Sequence, residues 1–223
     1  MKIKICGLFR DEDIDYANEA LPDYIGFVFV PQSRRRISPG RAAELRKKLR
    51  AEIVPVGVFV NADSAEIAAL YRDGVIAAVQ LHGGETDEYI GRLKERCDAP
   101  LIRALRAEDI EASVRAAGPD SPSGLSRFSG PADYLLIDNG NGGTGQSFDW
   151  KLLDILRNPA RRDGESHPPV PFFLAGGIGL HNIDAALARR PYAVDISSGA
   201  ETDGVKDREK ILRLAEKVRA CRG

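Results

Sequence analysis

Short runs of β-branched and apolar residues alternate along this chain with longer stretches whose apolar residues recur every three or four positions, the periods of strand and helix. KIKIC (2–6) leads into a segment that places Ile14, Ala17 and Leu21 on one helical face. YIGFVFV (24–30) leads into another carrying Ala42, Leu45 and Leu49, with Ser38 as its N-cap and Pro39 in its first turn. IVPVGVFV (53–60) is followed by DSAE (63–66), a capping-box pattern, and by Ile67, Leu70 and Tyr71 at helical spacing. AAVQL (77–81) precedes Ile90, Leu93 and Cys97, and PLIRAL (100–105) precedes Ile110, Val114 and Ala117. DYLLID (133–138) runs into a glycine-rich loop and a helix with Leu152, Ile155 and Leu156. PFFLAGG (171–177) is followed by Ile183 and Leu187, and YAVDISS (192–198) by Ile211, Leu214, Ala215 and Val218.

Eight strand–helix units with near-continuous apolar strands predict a parallel sheet buried on both faces. In 223 residues that number favours closure into a single α/β domain over 1–223, a (β/α)₈ barrel of the TIM type, over an open doubly wound sheet. Two stretches break the rhythm, 118–131 and 158–171. Both follow a helix and precede a strand, so they read as long solvated αβ loops on the face away from the strand C-termini, and Arg161 and Arg162 within the second as surface charge.

Charge narrows the partners. Thirty-two basic residues stand against 33 acidic ones, so no global field draws the chain to nucleic acid or to an anionic membrane. Without a long apolar run or a signal-peptide core, the expected location is the cytoplasm. Cys6, Cys97 and Cys221 are far apart and show no CxxC or Cys/His spacing, so neither a disulfide framework nor a metal is expected.

In a barrel of this kind the chemistry sits at the C-terminal ends of the strands. AGGIG after the seventh strand and SSG after the eighth offer small-residue turns whose backbone N–H groups can approach a phosphate. Gly176, Gly177, Ser198 and Gly199 are therefore candidate phosphate ligands, a site often joined by the N-terminus of a short extra helix. Cys6 ends the first strand and Asp138 the sixth, so they can face each other across the mouth as base and acid. On residue type alone, a buried strand cysteine is the commoner reading of Cys6. Asp138, closing the apolar run YLLI, is costly unless paired or functional. Among Arg34, Arg35 and Arg36, one facing the mouth can pair bidentately with a carboxylate. His82 either orients a ligand or caps its strand.

Taken in order, KICGL, GFVFVPQSRRRISP, VGVFVN, VQLHGGE, LLIDNGNGGTGQSFDW, FFLAGGI and AVDISSGAETDGVKD resemble the phosphoribosylanthranilate isomerase family of tryptophan biosynthesis over nearly the whole chain. The resemblance implies a barrel that converts N-(5′-phosphoribosyl)anthranilate into 1-(2-carboxyphenylamino)-1-deoxyribulose 5-phosphate, an Amadori rearrangement with neither cofactor nor metal. It makes Cys6 the general base, Asp138 the general acid and Arg35 the ligand of the anthranilate carboxylate. It puts the substrate's phosphate on Gly176, Gly177, Ser198 and Gly199, and implies a monomer or homodimer whose partner is a small phosphosugar. One departure is Phe9, where the family commonly reads KICGLT or KICGIT. The alternatives are a phosphosugar-binding barrel without catalysis and an isomerase serving both the histidine and tryptophan pathways.

Overall fold

A computed structural model describes residues 1–117, 126–139, 148–153 and 170–221. Eight parallel strands, β1 (Lys2–Cys6), β2 (Tyr24–Val28), β3 (Val54–Phe59), β4 (Ala78–Leu81), β5 (Leu101–Arg106), β6 (Tyr134–Asp138), β7 (Phe172–Leu174) and β8 (Ala193–Ile196), close into a barrel in sequence order. The first and last strands pair directly, with Lys4 opposite Asp195. Around the barrel lie the helices α1 (Asp11–Ala20), α2 (Pro39–Lys48), α3 (Ser64–Arg72), α4 (Asp87–Arg96), α5 (Ala107–Ala117), α6 (Ser126–Ser129), α7 (Ile183–Ala188) and α8 (Arg208–Ala220). Before α8 stands a small antiparallel hairpin, β9 (Glu201–Thr202) and β10 (Val205–Lys206).

The caps explain where several helices begin. Ser38 accepts a hydrogen bond from the Arg41 N–H ahead of Pro39, and Asp63 accepts from the Ala65 N–H. Thr86 and Asp207 do the same for α4 and α8. Leu21 departs from the predicted face of α1. It adopts a left-handed C-cap conformation (φ 49°) and is exposed, while Ala20 continues the buried stripe of Ile14 and Ala17. Residues 126–129 of the expected loop 118–131 form the single turn α6; residues 118–125 of that loop, most of the second one including Arg161 and Arg162, and Ile155 and Leu156 lie outside the described residues.

Strand residues alternate between two separate interiors. Ile3, Ile5, Ile25, Phe27, Val79, Leu135 and Val194 point outward into the layer beneath the helices, each wholly or almost wholly buried and each contributing about 1.5–3 kcal/mol by its burial. The other set fills the lumen. At its floor Phe173 packs edge-on against Tyr24 and Tyr134, and Tyr24 hydrogen-bonds Tyr192 through their hydroxyls at 2.9 Å. Above this aromatic floor lies a polar layer of Lys4, Gln80 and Asp195, and above that the mouth. The packed floor leaves the C-terminal rim as the face open to a ligand.

Candidate active site

The mouth encloses a cavity of about 860 Å³, large enough for a phosphosugar bearing an aromatic ring. Cys6, Arg35, His82, Asp138, Gly176, Gly177 and Ser198 all line it. Residues named from six separate stretches of sequence thus converge because each sits at, or just beyond, a strand end.

At the seventh and eighth loops, Gly176 and Gly177 both turn with positive φ (85° and 63°). Asn182 pins this turn, accepting from the Gly179 N–H and donating to the Gly177 carbonyl. Gly199 does not line the cavity. A Cβ there would lie 1.9 Å from the Ile178 carbonyl oxygen, and Gly179 and Gly199 form an isolated parallel bridge. Its hydrogen-only side chain lets the two loops touch. The expected short helix is replaced by consecutive turns (Ala200 N–H to Ser197, Glu201 N–H to Ser198) that feed the β9–β10 hairpin.

That hairpin supplies two residues that sequence reasoning missed. Glu201 accepts from Arg35 Nε (2.6 Å) and Nη2 (2.8 Å), from Arg34 Nη2 (3.0 Å) and from Lys206 Nζ (2.7 Å). Of the three arginines, Arg35 alone is buried. Its stem crosses Gly7 so closely that a Cβ on Gly7, whose φ is +86°, would stand 2.3 Å from Arg35 Cδ. Burial pushes the Glu201 carboxyl up, but Arg35 and Lys206 more than offset this and hold it below its ordinary value.

Cys6 packs against Val28 and Val58, its sulfur close over Gly26. Burial pushes its thiol above the ordinary value; Asp195 adds to the rise, while Lys4 and Lys206 pull the other way without cancelling it. Lys4 is fully buried, donating to Asp195 Oδ2 at 2.9 Å and to Gln80 Oε1 at 2.8 Å. Burial opposes its charge, yet Asp195 and Cys6 more than compensate and raise it. Lys206, nearly as buried, ends lowered because burial outweighs Glu201. Phe9 lies outside the cavity lining; its side chain joins the outer apolar layer and its N–H donates to Asp13.

Across the mouth, Asp138 Oδ1 accepts from the Asn139 N–H at 2.7 Å and Oδ2 stands 3.5 Å from His82 Nε2. Among the described residues, no three His, Cys, Asp or Glu side chains gather as a metal site. No described helix is long and apolar enough to cross a membrane.

The chain as a whole has counterparts among known proteins. A family profile described as N-(5′-phosphoribosyl)anthranilate isomerase matches residues 3–217. The chain belongs to that family. The phosphoribosylanthranilate isomerase of Endomicrobium trichonymphae is 42% identical over 98% of both chains, and that of Thermoanaerobacter pseudethanolicus 39% identical over 100% of both. Among solved structures, the Thermus thermophilus phosphoribosylanthranilate isomerase superposes with a TM-score of 0.79 at 31% identity, covering 99% of each chain. Another member, similar at TM-score 0.74 and 30% identity over 99% of each chain, was solved in complex with reduced 1-(o-carboxyphenylamino)-1-deoxyribulose 5-phosphate.

Proposed function

We propose that this chain isomerises N-(5′-phosphoribosyl)anthranilate to 1-(2-carboxyphenylamino)-1-deoxyribulose 5-phosphate in tryptophan biosynthesis, with Asp138 as general acid and Cys6 as general base. The observation that carries the reading is the placement of a buried thiol and a buried carboxyl on strands β1 and β6 of one cavity that also holds Arg35 and the glycine loops. The loops after β7 and β8 hold the phosphate, and Arg35 the anthranilate carboxylate, through the guanidinium edge not engaged by Glu201. Gripped at both ends, the sugar is presented to acid and base without further search.

Asp138 donates its proton to the furanose ring oxygen as the bond from that oxygen to the first carbon breaks and the nitrogen lone pair forms the Schiff base. Cys6, as thiolate, then takes the proton from the second carbon, giving an enolamine. Loss of the enol proton and gain of one at the first carbon complete the ketosamine, so the atoms rearrange with no net redox change. The two ammonium groups nearest Cys6, those of Lys4 and Lys206, favour the thiolate. We read the chain as one catalytic domain working in the cytoplasm as a monomer or homodimer; among relatives, the enzyme of Thermotoga maritima is described as dimeric.

The deciding experiment follows the loss of phosphoribosylanthranilate fluorescence with chelator present. Wild type is expected to turn over, and Cys6→Ala and Asp138→Asn each to lose at least about 10²-fold in kcat, the range typical of one acid or base. Full activity in either variant would remove that residue's role, and no turnover by wild type would favour the binding-only barrel.

A further inference from the structure

Gln80 lies near the end of β4, almost wholly buried at the floor of the cavity, and the proposed mechanism gives it no task. Its amide is fixed from both sides. Lys4 Nζ stands 2.8 Å from Oε1, and an ammonium group only donates, so the amide oxygen must face Lys4. The NH₂ therefore faces the other way, where Gln80 Nε2 lies 2.9 Å from His82 Nδ1. An amide nitrogen only donates as well. His82 Nδ1 must then accept, which leaves the single proton of the neutral ring on Nε2, the atom turned toward Asp138 Oδ2 at 3.5 Å. Lys4 is a firm anchor, because Asp195 at 2.9 Å holds it in its charged form against burial.

We infer that Gln80 is a positioning residue: anchored by Lys4, it holds His82 as the Nε2–H tautomer and so turns the ring's single N–H donor toward Asp138, the proposed acid. The alternative is the usual outcome for a histidine beside a carboxylate, an imidazolium facing an anion. Here a second ring proton would have to enter at Nδ1 against the Gln80 NH₂, donor against donor. The amide cannot turn over to relieve this without aiming its NH₂ at Lys4. His82 therefore meets Asp138 as a single N–H donor, which orients the carboxyl without placing a second ring N–H against the Gln80 amide. This function rests on Asp138 being the acid, whereas the tautomer does not.

Two measurements on the full-length protein test it. The ring nitrogens of His82 are assigned in ¹⁵N-labelled wild type by their absence from His82→Gln. At neutral pH they are expected to show Nε2 protonated and Nδ1 bare, and a protonated Nδ1 would overturn the inference. Gln80→Glu, which puts an acceptor against Nδ1, is expected to protonate that atom. In kinetics, Gln80→Glu is expected to lower kcat about tenfold with KM changed no more than about twofold. In the His82→Gln background, where residue 82 offers Asp138 an amide donor with no second protonation site, the same change is expected to cost less than about threefold. Equal losses in both backgrounds would mean that Gln80 merely packs, and the inference would fall. Should Gln80→Glu not fold, the wild-type ring spectrum decides alone. Retained activity in Asp138→Asn would strike the acid assignment while leaving the ring spectrum standing, so the two failures are distinct.

Discussion

Arg35 donates to both carboxylate oxygens of Glu201, Nε to Oε1 at 2.6 Å and Nη2 to Oε2 at 2.8 Å, and the pair is buried beside the cavity. The guanidinium plane is therefore set before any ligand arrives, with one edge spent on Glu201 and the other, in the proposed function, offered to the substrate's carboxylate. Glu201→Gln removes the charge and one acceptor, and frees Arg35 to sample other angles. KM for phosphoribosylanthranilate is expected to rise about tenfold, near 1.4 kcal/mol, with kcat little changed. Stability carries a second signature. A carboxyl held below its ordinary value stabilises the fold fully above the unfolded value of about 4.3, and that contribution is lost as pH falls through the lowered one. Thermal unfolding followed from neutral to acid pH should show Glu201→Gln lacking this part of the wild-type slope.

The thiol titrates in the opposite sense. Burial holds Cys6 above its ordinary value against the pull of Lys4 and Lys206, so in the free enzyme kcat/KM is expected to climb with pH on the alkaline side as the thiolate forms. Lys4→Met removes a cation that lowers Cys6 and leaves Asp195 unpaired, and both changes push the thiol further up. The climb should move to higher pH, with kcat/KM at neutral pH down at least about tenfold. Alkylation of Cys6 by iodoacetamide, read by peptide mass mapping, should slow in parallel.

Gly199→Ala tests the proposed phosphate loops without replacing the proposed acid or base. Its Cβ has no space beside the Ile178 carbonyl, so the loops after β7 and β8 must separate, at a cost of about 1–3 kcal/mol for overpacking. Inorganic phosphate, as a competitive inhibitor, is expected to weaken about tenfold, measured as its Ki against wild type.

The eight-strand barrel was legible because eight largely apolar, β-branched runs alternate with helical-period segments, and the mouth was legible because Cys6, Arg35, Asp138 and the glycine turns fall at or just beyond the ends of those runs. Lys4, Gln80 and Asp195 were not. In KIKIC a lysine at alternate positions looks like the solvated face of an ordinary strand, and only closure turns that face into a lumen. Its partner Asp195 is 191 residues away, beyond any local pattern. One available clue was the cost of placing a lysine and an aspartate inside strands predicted to be buried on both sides. Glu201 and Lys206 were hidden differently. They sit in a polar stretch, ETDGVKD, where charges are normally solvated, and nothing local tells that the hairpin folds them onto Arg35. Leu21 failed as a core residue for a third reason: helical spacing continues past the point where the backbone has already left the helix.

Lys4 and Asp195 are cross-strand neighbours where the first strand meets the last. The ion pair thus lies on the seam at which the sheet joins itself, and the tether beneath the Cys6 thiol is also a rivet of that seam. An unclosed barrel would carry Cys6 and Arg35 in full, yet present Lys4 with no counter-ion. Such a form is miswired as well as unstable, because the electrical setting of the thiol exists only once the two ends of the sheet have met.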